Sequence, residues 1–285
     1  MEKKNIASVL LSGKDLMPIL TSDEKYPDNG TGLCNQLFAI INTISTIDFR
    51  QDSLYVDLFS KDVHTGDLVK ISEILDLEQM RITNAWDIND IHDLRGGLVR
   101  IDKQGYVFMA YHMLNEKFID ITKKIIFAKK YDNLAKKIID NLEIANELVN
   151  LVHLRIDKDC EDNIKRLFSD LHYIEYINNY RRCITDNCHQ DRKIVLLLED
   201  VEHPLVIELV DKFNVVFITK KMVDDAYRAE YDEDFSGREM YALIDLLIGK
   251  NLKVDTYIGA EGGSFTSSFS VLLKYMGEKN KIIMI

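Results

Sequence analysis

Three short clusters in this sequence put glycines, hydroxyls and charged groups where the chain turns from one regular element into the next. The most chemically pointed is His153-Leu154-Arg155-Ile156-Asp157-Lys158-Asp159, at the end of a β-branched run. Alternate residues of a strand share a face, so His153 and Arg155 project together while Leu154 and Ile156 pack on the opposite side. A guanidinium held inward beside an imidazole needs an anion. Two arrangements supply one: an internal ion pair with Asp157 or Asp159, with His153 as a core histidine, or a bound phosphate. Guanidinium grips phosphate bidentately and stays charged as a diphosphate leaves, which suits group transfer from a nucleoside diphosphate.

The second cluster, Gly259-Ala260-Glu261-Gly262-Gly263-Ser264-Phe265-Thr266, joins the apolar run 254–258 to a long helical stretch. Small residues and hydroxyls before a helix make a phosphate cradle, and Phe265 can stack on a base or pack beneath it. The spacing is neither that of a Walker loop nor that of the dinucleotide Gly-x-Gly-x-x-Gly fingerprint, so ATPase and NAD readings lose their main support. The third cluster, Thr31-Gly32-Leu33-Cys34-Asn35-Gln36-Leu37, is a glycine turn feeding a helix. Its helix N-terminus offers N–H groups to a ligand, or the turn serves only as a cap.

The elements that must position these clusters are clearest after residue 148. Short, mainly apolar runs fall at 149–156, 193–198, 214–219, 254–258 and 281–285, separated by amphipathic stretches long enough for crossover helices. That is the pattern of a doubly wound parallel sheet covered on both faces. The stretch 240–248 puts Met240, Leu243, Ile244, Leu247 and Ile248 on one helical face, with Asp245 near its edge. Ser264-Phe265-Thr266 opens the last helix, which carries Phe269, Leu272, Leu273 and Met276 on one face and is closed by Gly277. Earlier, strands are expected at 6–11, 53–58 and 98–101, with a helix from about Asn35 presenting Leu37, Ile40, Ile41, Ile44 and Ile47. The charged stretch 133–147 links an N-terminal α/β half, 1–148, to a C-terminal doubly wound half, 149–285.

Bulk properties narrow the function. With 285 residues, 46% hydrophobic and 29% charged, the chain builds one large core or two domains, which excludes fibrous and disordered classes. A net charge of −11 without a basic stripe excludes nucleic acid as a partner. No apolar run approaches the ~20 residues of a membrane-spanning helix, so no membrane span and a cytoplasmic location are expected. Cys34, Cys160, Cys183 and Cys188 form no Cys-x-x-Cys pair and are read as free thiols.

Taken in order, Gly32-Leu33-Cys34-Asn35-Gln36, then His153-Leu154-Arg155, then Tyr257-Ile258-Gly259 and Gly263-Ser264-Phe265 resemble the motifs of the fucosyltransferase superfamily. That superfamily includes protein O-fucosyltransferases and the α1,2- and α1,6-fucosyltransferases. The His-x-Arg motif and the Ser-Phe helix start are similar to the protein O-fucosyltransferase pattern, and Gly-Leu-Cys-Asn-Gln-Leu-Phe to the α1,2 group. The resemblance implies a GT-B-like α/β fold, two Rossmann-like domains facing a central cleft, with 1–148 the N-terminal acceptor-side α/β domain and 149–285 the C-terminal nucleotide-sugar-binding Rossmann-like domain, and inverting, metal-independent transfer of fucose from GDP-fucose to a glycan or protein hydroxyl. It implies that Arg155 binds the pyrophosphate and assists its departure, that His153 contacts the donor, and that Gly263, Ser264, Phe265 and Thr266 hold the phosphates and nucleoside. By the same resemblance Asp245 reads the guanine edge, Gly32 and Asn35 close the site from the first domain, and Asp159 is the acid that follows the His-x-Arg motif. Two positions depart from the pattern: Gly263 stands where another serine is frequent, and Ile156 where many members carry a second basic residue.

No cofactor is implied beyond the donor substrate, and the partners are a nucleotide-sugar donor and a carbohydrate or protein acceptor. Asp28 and Glu261, then Asp157, are the candidate general bases. Asp157-Lys158-Asp159 also has the form of a metal-binding Asp-x-Asp signature, but Arg155 already serves the phosphates. Other classes remain in play: a non-catalytic nucleotide-sugar or glycan-binding relative, a transferase using a different nucleotide sugar, and an unrelated α/β enzyme such as a methyltransferase or nucleotidase.

Overall fold

The structure is a computed structural model that describes residues 6–9, 33–34, 37–38, 41, 53–56, 59–60, 68–76, 78–80, 85–87, 98–100, 116–198, 201–261 and 267–285. Contacts divide the chain into two compact units, Met1–Asn133 with Phe235–Ile244, and Leu134–Asp234 with Asp245–Ile285.

The first unit contains β1 (Ile6–Val9), β2 (Ser53–Val56), β3 (Phe59–Ser60), β4 (Leu68–Val69), α1 (Ile71–Ile74), β5 (Ala85–Asp87), β6 (Leu98–Arg100) and α2 (Glu116–Lys124). Four of the strands make a parallel sheet in the order β5-β2-β1-β6, and β3 pairs with β4 antiparallel. The expected strands at 6–11, 53–58 and 98–101 are therefore present over their described residues. Where a helix from about Asn35 is expected, the described residues Leu33, Cys34, Leu37, Phe38 and Ile41 are helical, and Leu37 and Ile41 are fully buried as their spacing predicts. Phe38 of the same segment packs its ring 4.7 Å from that of Phe118 in α2. The amphipathic α3 (Lys129–Asn141) begins in one unit and ends in the other.

The second unit holds β7 (Leu148–His153), α4 (Lys158–Leu167), α5 (Asp170–Asn187), β8 (Ile194–Leu197), α6 (Pro204–Lys212), β9 (Val215–Phe217) and α7 (Lys220–Tyr231). It continues with α8 (Arg238–Asn251), which starts in the first unit, then β10 (Lys253–Gly259), α9 (Ser268–Tyr275) and β11 (Lys279–Met284). The sheet is parallel throughout, in the order β11-β10-β7-β8-β9. This is the doubly wound sheet that the five apolar runs predict, and β7, the first strand of the unit, lies at its centre.

Its central strands β7, β8 and β10 are buried on both faces because both faces are covered, whereas the edge strand β11 is partly exposed. Val152, Leu154, Ile156, Ile194, Leu196 and Ile258 pack into one core with Cys160, Ile164, Tyr176, Tyr180, Ile184, Leu205 and Leu209 from α4, α5 and α6. On the opposite face, a side chain added at Gly249 of α8 would press on Leu273 of α9 and on Leu151 of β7. Polar caps start the helices where N–H groups need acceptors: Asp157 before α4, Ser169 before α5, Thr219 before α7 and Ser267 before α9. The cap of the last helix is thus Ser267, not the expected Ser264-Phe265-Thr266, which lie outside the described residues.

The expected glycine stop of α9 is present. Gly277 has φ +69°, and a Cβ there would drive into the backbone carbonyl of Lys250. Gly277→Ala is therefore expected to destabilise the protein by more than about 1 kcal/mol, the cost of forcing a side chain into a left-handed, crowded position. A lower urea midpoint with an unchanged slope is the result that checks it.

Candidate functional site

The order of the second sheet creates one special place. The chain runs outward from β7 through β8 to β9, then returns to the other side of β7 to lay down β10 and β11. At such a reversal the connections leaving neighbouring strands diverge, and a crevice opens beyond their C-terminal ends. His153 ends β7 and Gly259 ends β10, so both belong to that rim.

A single hydroxyl ties the two sides together. The Ala260 N–H, just past β10, donates to Ser270 Oγ at 3.0 Å, and the same oxygen lies 2.7 Å from His153 Nδ1. Ser270, in the first turn of α9, is fully buried. Gly259 makes this approach possible, since a Cβ there would sit 2.9 Å from Ser270 Oγ and 2.6 Å from Tyr257 Oη.

His153 is buried and stacks on Phe269, with ring centroids 4.3 Å apart and planes 28° apart. Burial, helped by the positive charge of Arg155, lowers its pKa from 6.5 to about 3, so the ring is neutral near pH 7. The backbone around it is held from α5. Tyr180 Oη donates to the His153 carbonyl at 2.8 Å, and Tyr176 Oη donates to that of Arg155 at 3.0 Å. The two tyrosines, four residues apart, share a helical face, and burial raises both their pKa values, keeping them protonated donors.

Arg155 Nη1 lies 3.0 Å from Asp157 Oδ2, with the Arg155 side chain 30% exposed and that of Asp157 only 9%. The other oxygen of Asp157 accepts from the Cys160 N–H at 3.1 Å, capping α4. Of the two anions available internally, the structure selects Asp157. Its carboxylate is thereby committed twice over. The expected alternation also holds, since Leu154 and Ile156 join the core while Arg155 does not.

Other expected site residues are more dispersed. Asp159 is exposed in the first turn of α4. Asp245 is half-buried in α8, beside fully buried Ile244 and Leu246. Glu261, a candidate base, is paired with Lys274 at 2.6 Å. Gly32, Asn35, Asp28, Gly263, Ser264, Phe265 and Thr266 lie outside the described residues. In the first unit, the N–H of Leu33 donates to Glu239 Oε2 at 2.6 Å, so one helix-start group expected to face a ligand already has a carboxylate. All four cysteines are free thiols. Among the described residues no group of three His, Cys, Asp or Glu side chains could hold a metal ion. Ser270, Tyr176 and Tyr180 were not singled out by sequence reasoning; the signal available was a hydroxyl inside an otherwise apolar helix and a tyrosine pair at helical spacing.

No family model matches the sequence, and no curated protein matches it either. Solved structures do. POFUT1 in complex with GDP aligns at a TM-score of 0.56 and 10% identity, covering 100% of this chain and 99% of that one. POFUT1 in complex with GDP-fucose gives 0.56 and 10%, covering 99% and 98%. The chain has a fucosyltransferase-like fold. The Bradyrhizobium fucosyltransferase NodZ extends the likeness, with a TM-score of 0.56, 10% identity and coverage of 96% and 93%. A fucosyltransferase-like fold is what the ordered motifs imply. Among the described residues no helix is long and apolar enough to cross a membrane.

The neutral His153 has a thermodynamic consequence. Its folded pKa of about 3 lies below the unfolded 6.5, so unfolding takes up a proton between those values. The contribution to stability is complete above pH 6.5 and is lost as pH falls toward 3, by about 1.4 kcal/mol per pH unit. Urea titrations of the wild type and His153→Gln across this window are expected to converge as the pH falls, because only the wild type loses this term.

Proposed function

We propose that the protein is a glycosyltransferase that moves fucose from GDP-fucose to a hydroxyl of a glycan or protein, with inversion and without a metal ion, in a GT-B arrangement. The observation that carries this reading is the neutral His153 and the cationic Arg155 at the reversal of the second sheet, in a fold shared along nearly the whole chain with a protein bound to GDP-fucose.

In the reaction the bond between the sugar C1 and the diphosphate oxygen breaks as the acceptor hydroxyl attacks C1, through an oxocarbenium-like state. The charge that develops on the diphosphate needs a fixed cation. Arg155 supplies it by exchanging Asp157 for phosphate oxygens, and its planar fork suits two of them at once. His153, uncharged, donates to the donor without adding a second cation. Gly32 and Asn35 close the site, Gly263, Ser264, Phe265 and Thr266 hold the nucleotide, Asp245 reads the guanine edge, and Asp159 completes the motif. Glu261 and Asp157 are tied to Lys274 and Arg155, which weakens both as general bases and leaves Asp28 as the remaining candidate.

The Arg155–Asp157 pair also favours a second reading, a nucleotide-sugar-binding protein without transfer, since the cation is already neutralised in the absence of ligand. Two measurements separate these readings. A ligand at 100 times its dissociation constant stabilises a protein by about 2.7 kcal/mol, so GDP and GDP-fucose are expected to raise the melting temperature where UDP, ADP and NAD do not. Hydrolysis or transfer of the fucosyl group, unchanged by chelator, then distinguishes enzyme from binder. Arg155→Ala is expected to keep the fold and lose on the order of 10²–10³ in turnover. Near-normal turnover would remove Arg155 from the mechanism.

A further inference from the structure

The contact between Ser270 and His153 carries more than packing. A neutral imidazole holds its single proton on Nδ1 or Nε2, and which nitrogen bears it decides what the ring offers a ligand. The partner of Nδ1 sets that choice. Ser270 Oγ already accepts the Ala260 N–H, and among the described residues the only acceptor in reach of its own proton is His153 Nδ1. The 2.7 Å separation is also short, as suits a hydroxyl donor, and shorter than the usual N–H···O distance of about 2.9–3.0 Å.

We infer that Ser270 is a positioning residue: its hydroxyl donates to Nδ1 of His153, fixes the ring proton on Nε2, and so makes His153 a neutral N–H donor toward an oxygen-bearing ligand at the sheet reversal. The Ala260 N–H orients the hydroxyl by occupying its oxygen. Phe269 holds the ring plane from one side, and Tyr180 holds the His153 carbonyl. Nε2 has no hydrogen-bond partner among the described residues. A ring with the opposite tautomer would present a lone pair there and repel a phosphate or sugar oxygen acceptor. Burial and the neighbouring Arg155 charge depress the basicity of the ring, so near pH 7 it carries a single proton for this contact to place.

The ligand class, a nucleoside diphosphate or its sugar ester, rests on the function proposed above; the tautomer does not. Long-range proton–nitrogen correlation spectra of the 15N-histidine-labelled protein at pH 7 read the tautomer directly. The wild type is expected to show an unprotonated Nδ1 and a protonated Nε2 for His153, and Ser270→Ala a shift of the population toward the other form. A wild-type ring protonated on Nδ1, or a population unchanged by Ser270→Ala, overturns the inference; the wild-type spectrum decides even where the variant folds poorly. GDP titrated into both proteins is expected to bind the variant roughly 5- to 10-fold more weakly, what one net hydrogen bond is worth. Equal GDP affinities would overturn the claim that the donor nitrogen serves the ligand. Failure of the wild type to bind GDP would instead end the fucosyl-transfer reading while the spectra still report on Ser270.

Discussion

Two parallel strands that sit side by side but are reached from opposite directions have no covalent reason to end in register. In this protein the requirement falls on β7 and β10, with β8 and β9 between them in sequence, and beyond the ladder that pairs them it is met at their ends by the Ser270 hydroxyl, which touches the Ala260 N–H on one side and His153 on the other. Gly259 leaves the space for it, and the Ser267 cap fixes where α9 begins and therefore where Ser270 stands. The remaining fixtures act on the same short segment. Tyr180 and Tyr176 hold the carbonyls of His153 and Arg155 at and just past the end of β7, and Asp157 ends the segment by starting α4. The site is thus a place where a sheet, three helix starts or faces, and one buried imidazole must agree.

The fold was legible where burial is symmetric. Runs such as Ile194–Leu197 are apolar in every position because helices cover both faces, and their shortness and β-branched content favour a buried strand over a buried helix. β5 was not anticipated, since Ala85-Trp86-Asp87 has no β-branched residue and ends in a carboxylate; its pairing to β2 is a tertiary preference that no local window contains. Helix starts were harder than helix stops. Gly277 can be recognised because the left-handed turn nearly demands glycine, whereas Ser264, Thr266 and Ser267 are chemically equivalent caps and only packing selects among them.

The site divides along similar lines. The alternation of His153, Leu154, Arg155 and Ile156 follows from strand geometry and could be read directly. The choice of Asp157 over Asp159 as the partner of Arg155 could not, because it depends on which carboxylate the start of α4 turns back toward the strand. Ser270 was the least visible, being eleven residues past a strand and inside a helix, where serine ordinarily carries no signal. Its role exists only through the contact with a strand end 117 positions earlier.

The Arg155–Asp157 pair has a consequence for how an anion finds this protein. A cation matched by a carboxylate 3.0 Å away is, from a distance, a dipole, and its field decays much faster than that of a lone charge. In a chain with a net charge of −11, this pair therefore adds little long-range pull on an anion. On the function proposed above, the pull of Arg155 on a diphosphate is felt only at short range, where the incoming oxygens compete with the resident Asp157 carboxylate for the guanidinium. Under that proposal a nucleotide is selected by shape and hydrogen-bond geometry after collision rather than steered toward the rim from a distance.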